Sequence, residues 1–206
     1  MGPRWRERAR LACWAQDHLY SQNAHLPENW PEVGRLSVWE EVPLYCGDHA
    51  IGLTGVYAVV NAMKLIMAET TPLQPSEERF LLELGWRFLG DRMAIMPCKG
   101  LRVSLIMRLT EAMLFAFGRR RQMSVQCNPI DRAALSAGAT QVFLERCVVA
   151  NRVGLILLGG AHYTVLKGYM SDSWLVFDAL GRRWLSRSSV RLNRPFIPIL
   201  SMYRPD

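Results

Sequence analysis

A helix that is apolar on every side has to be enclosed by the rest of its protein, and residues Gly55 to Ala68, GVYAVVNAMKLIMA, spell such a helix. At 3.6 residues per turn the run leaves no polar face wide enough to meet water. The remaining sequence must therefore supply a shell around it. The chain has 206 residues, of which 50% are hydrophobic and 21% charged, enough for one full core and too apolar for a disordered chain. A single domain over residues 1–206 is expected, mainly helical over 1–151 and mainly stranded over 152–206.

Around the central helix the pattern gives further elements. Trp5 to Tyr20 places apolar residues at near-helical intervals among Arg and Glu and predicts an amphipathic helix. The stretch Asn23 to Gly52 is rich in Pro and Gly, with a short strand-like piece at Leu36 to Val42. Ser76 followed by Glu77 and Glu78 predicts a capped helix to Leu89, and Leu101 to Phe117 predicts another, ending at Gly118. Beyond residue 122 the sequence predicts a strand at Met123 to Cys127 and a helix at Ala139 to Ala150. Strands follow at Val153 to Leu158, His162 to Tyr169, Trp174 to Asp178, Arg183 to Ser186 and Phe196 to Met202. Helices first and an antiparallel sheet afterwards make an α+β arrangement, with a cleft between the two parts as the natural place for a site.

Two segments carry candidate chemistry. In GGAHYTVLKGYMSDSWLVFDALG, His162 opens one strand and Asp178, sixteen positions later, closes the next, so a tight hairpin sets them side by side. A carboxylate on one imidazole nitrogen fixes the tautomer and supports the imidazolium, as the orienting partner of a general base does. A polar pair at a strand end is the plainer interpretation of the same two residues. In GLTGVYAVVNAMKLI, Thr54 stands where the buried helix begins, and a helix N-terminus favours an anion through its dipole and its unpaired N–H groups.

Taken together, Thr54-Gly55-Val56-Tyr57-Ala58-Val59-Val60-Asn61-Ala62, the strand Ala161 to Tyr169 and the strand Leu175 to Asp178 resemble the papain-like cysteine peptidase superfamily. The likeness runs from Gly47 to Gly181 in the family's chain order, with the nucleophilic cysteine replaced by Thr54. It implies an α+β papain-like fold in which a helical lobe with a buried nucleophile helix packs on a C-terminal antiparallel sheet. It also implies Thr54, His162 and Asp178 as the catalytic positions, with Asp48, His49 and Gly55 at or near the oxyanion site. The family often has Gln where Asp48 stands, and a carboxylate opposes a developing oxyanion. A secondary alcohol is a poorer nucleophile than a thiol and needs a well-placed base. The resemblance thus implies peptide or amide bond chemistry on a scaffold that is inactive or weakly active, with a peptide or protein held in the inter-lobe cleft and no cofactor.

Two other readings stay open. An active protease or deamidase would use Thr54, or else Cys46, which is also followed by Gly but lies eight residues before the helix. A basic binding module would use the net charge of +7 to recruit an acidic partner, with Arg119, Arg120 and Arg121 as the one basic run. That run has no interleaved aromatics and falls at a helix end, where basic residues complement the dipole, so nucleic acid is not the expected partner. Cys46 and His49 have the spacing of half a zinc site without a second pair of ligands, so no metal is expected. The five scattered cysteines predict free thiols. No apolar run is long enough to span a membrane, because Arg102, Arg108 and Glu111 interrupt the longest helical stretch. The N-terminal segment shows no signal peptide, and the expected location is cytoplasmic, or exported by a route without a visible signal.

Overall fold

The computed structural model describes residues 34–35, 54–68, 70–90, 101–123, 125–131, 137–158, 162–179, 184–189 and 196–202. The predicted helix at Trp5 to Tyr20 and strand at Leu36 to Val42 lie outside these residues, as do Cys46, Asp48 and His49. In chain order the elements are β1 (Gly34–Arg35), α1 (Thr54–Met67), α2 (Pro75–Leu89), α3 (Val103–Arg121), β2 (Val125–Asp131), α4 (Ala137–Val149), β3 (Val153–Leu158), β4 (His162–Tyr169), β5 (Ser173–Phe177), β6 (Trp184–Ser186) and β7 (Phe196–Met202). The strands form one antiparallel sheet in the order β2-β7-β3-β4-β5-β6, with β1 on the far end of β4. The architecture is α+β. No described helix is long and apolar enough to cross a membrane.

Every residue of α1 is buried, as its composition demands. It packs on β3, β4 and β7 and on α2 and α3, so it joins the helices to the sheet. Its one charged residue, Lys64, is buried yet paired with Glu78 of α2 at 2.8 Å, which compensates the cost of removing the ammonium from water.

The start of α2 and the end of α3 are fastened together. Gln74 caps α2 and Pro75 takes the first helical position, where its missing N–H costs nothing, so the cap lies two residues before the predicted Ser76. The Glu77 carboxylate accepts the Gln74 N–H at 2.8 Å and also receives Arg121 Nε at 2.6 Å and Nη2. Arg121 Nη1 and Nη2 donate further to the Thr71 and Pro72 carbonyls at 2.7 and 3.2 Å. The guanidinium holds the Glu77 carboxyl below its ordinary range.

Helix α3 runs three residues past Gly118 and ends at Gln122, which is left-handed with φ 52°. Gly118 serves a different purpose from the predicted helix end. A Cβ there would lie 2.5 Å from the Met123 carbonyl oxygen, so glycine admits the returning chain over the last turn. Strand β2 extends four residues past the predicted end at Cys127, through Pro129. Among the described residues it is an edge strand, paired with β7, and Pro129 stands opposite Pro198, so the absent N–H is tolerated. It also means that part of the sheet comes from the half predicted as mainly helical.

At the opposite end of the sheet, Arg187 follows β6 and lies over the rings of Trp174 and Tyr169 at 4.6 and 5.6 Å. Its guanidinium also pairs with Glu145 of α4. Trp174 and Tyr169 meet edge to face, and together these contacts seal the β4–β5 hairpin against α4.

Candidate active site

The buried helix presents its first residue to the first residues of β4. Thr54 is 3% exposed, and its Oγ1 accepts the Tyr163 backbone N–H at 3.3 Å. The Tyr163 hydroxyl donates to the Leu101 carbonyl at 3.1 Å, so one residue ties the start of α1 and the segment leading into α3 to the same strand. Gly55 makes the approach possible. A Cβ on it would lie 2.4 Å from Leu101 Cδ1 and 2.9 Å from Ile106 Cδ1, both in the packed interior.

His162 is the first residue of β4 and pairs with Leu158 of β3. Its Nε2 meets the Asp178 carboxylate oxygen Oδ1 across the end of the hairpin. Asp178 follows β5 directly and is fully buried. The hairpin is regular where it matters for this contact, since Val165 faces Phe177 and Leu166 faces Val176, and its bulge lies further on, between Leu166 and Gly168. A buried carboxylate beside one imidazole nitrogen selects the tautomer and stabilises a positive ring. With Nε2 turned to Asp178, Nδ1 is the ring's other nitrogen.

Of the predicted residues, the structure joins His162 to Asp178 directly and brings Thr54 to the main chain of the residue after His162. Gly55 belongs to the same first turn of α1, whose N–H groups lack helical acceptors. Tyr163 and Leu101 were not among the predicted site residues. The contact to Thr54 uses the backbone N–H of Tyr163, and Leu101 contributes a backbone carbonyl, groups that side-chain identity does not announce.

Cys147 of α4 is a buried free thiol. Burial pushes its thiol up to about 12, so it stays protonated and unreactive at neutral pH. Among the described residues no cluster of three or more His, Cys, Asp or Glu side chains is arranged to hold a metal ion. The basic run is divided by its contacts. Arg121 is engaged by Glu77, Thr71 and Pro72, while Arg119 and Arg120 are exposed and lie over Phe115 and Phe80 at 5.9 and 4.9 Å. Compared with known proteins, the chain matches no protein-family model and no curated protein.

Proposed function

We propose that the chain is a papain-like hydrolase-fold protein in which Thr54 occupies the nucleophile position, inactive or weakly active toward peptide or amide bonds. An extended peptide or protein segment would lie in the cleft between the helical part and the sheet. The observation that carries this reading is a convergence: the start of a fully buried helix bonds the strand residue next to His162, and His162 is itself held by a buried carboxylate. In that arrangement His162 Nδ1 would take a proton from the nucleophile and return it to the leaving group, while Asp178 keeps the ring oriented. A threonine hydroxyl ionises far less readily than a thiol and gains correspondingly less from the same surroundings, so weak or absent turnover is expected. The site would then serve recognition more than chemistry.

The test is to install the missing thiol. In the Thr54→Cys protein, iodoacetamide should modify position 54 at least about tenfold faster than any other cysteine, because a helix N-terminus and a neighbouring imidazole favour the thiolate. Modification spread over the cysteines without preference for position 54 removes the reading.

A further inference from the structure

A residue inside an antiparallel sheet ordinarily gives its N–H to a carbonyl on a neighbouring strand. At Tyr163 this donor has another use. Tyr163 stands opposite Leu157 of β3, but on its other side the paired register of β4 with β5 ends at Val165 and Phe177, and the Tyr163 N–H is given to Thr54 Oγ1. The acceptor is the atom that would carry negative charge if position 54 were deprotonated. Because a hydroxyl has one hydrogen and two lone pairs, accepting from Tyr163 engages one lone pair of Thr54 Oγ1 and keeps its hydrogen off the Tyr163 N–H.

We infer that the Tyr163 backbone N–H is the built-in donor that stabilises an anion at position 54, and that Tyr163 is thus a positioning residue of the site. The inference rests on reading position 54 as the nucleophile position. Three observations support it. The N···O separation of 3.3 Å is long for an N–H···O bond, and sulfur is an acceptor that is met at longer distances than oxygen. The first-turn N–H groups of α1 bring the positive end of the helix dipole to the same atom, so donor and dipole act together. The donor is also rigidly held, because the Tyr163 ring is buried and its hydroxyl is fastened to Leu101. Deprotonation sends the proton to His162 or to solvent, and the charge left behind faces the Tyr163 N–H.

The experiment follows the Tyr163 amide by nuclear magnetic resonance in the full-length protein carrying Thr54→Cys, titrated between about pH 5 and 10 around the ordinary thiol range. The Tyr163 amide proton should move downfield with the same midpoint as the iodoacetamide reactivity of position 54. An amide that stays still while a selectively reactive thiol titrates overturns the inference and leaves the nucleophile-position reading standing. A thiol without selective reactivity overturns both. In the otherwise unmodified chain, Thr54→Val should speed hydrogen exchange of the Tyr163 amide about tenfold over Thr54→Ser, with Val165 unchanged, since only serine keeps the acceptor. Equal protection in the two variants overturns the inference.

Discussion

Glu77 and Asp178 are both buried carboxylates that hold a basic side chain, and they hold it in different ways. Glu77 grips a guanidinium that cannot lose its proton at any working pH, and Arg121 spreads its remaining donors over the carbonyls of Thr71 and Pro72. Nothing in that cluster has a proton to exchange near neutrality. Asp178 grips one nitrogen of an imidazole, the kind of side chain whose charge changes nearest physiological pH, in the residue next to the one that bonds the start of α1. The same electrostatic attraction fastens two helices in one place and holds an imidazole in the other. The difference lies in the base that is held.

Breaking the clamp should have the largest effect on stability. Arg121→Met strips Glu77 of its counter-ion and of two hydrogen bonds and should cost about 3 kcal/mol, read as a lower urea midpoint at unchanged slope. Gly55→Ala comes next, at about 2 kcal/mol, because its Cβ drives Leu101 and Ile106 out of packed positions. That substitution should also loosen the site, so the same denaturation series can be read beside the exchange rate of the Tyr163 amide.

The clamp has a pH signature of smaller size. Since the folded-state carboxyl of Glu77 is held below its ordinary value of 4.5, its stabilisation is fully present above that value and is lost as pH falls through the lower, folded value. The wild-type urea midpoint should drop more steeply below about pH 4.5 than that of Glu77→Gln. Parallel curves would mean that the Arg121 contact adds nothing in solution. The smallest effect belongs to the exposed pair. Arg119→Gln with Arg120→Gln should shift stability by less than about 0.5 kcal/mol and leave no sub-micromolar nucleic-acid binding to abolish in an anisotropy titration.

Much of this arrangement could be read in the sequence, and the exceptions share a cause. The burial of α1 follows from apolar residues on every face, and strands β3, β4 and β7 occupy the predicted residues because their apolar runs are bounded by turn residues. His162 and Asp178 meet because a short hairpin leaves few registers to choose from. The start of α2, the end of α3 and the length of β2 depart from the sequence pattern where a residue is chosen for a distant neighbour. Gln74 caps α2 beside an arginine clamp formed 44 residues away from Glu77, Gly118 admits the Met123 carbonyl, and Pro129 is accepted because its strand lies at the sheet edge. Tyr163 was invisible for the further reason that its contribution to Thr54 is a main-chain group.

The proposed identity of position 54 is tested most directly by the pH profile of its reactivity. In the Thr54→Cys protein, the rate of iodoacetamide modification should reach half its maximum at least about one unit below the 8.5 of a free thiol, and adding His162→Gln should move that midpoint upward. A midpoint near 8.5 that is the same with and without His162 would contradict the account, because the helix start, the Tyr163 N–H and the imidazole would then do nothing for a thiol at position 54.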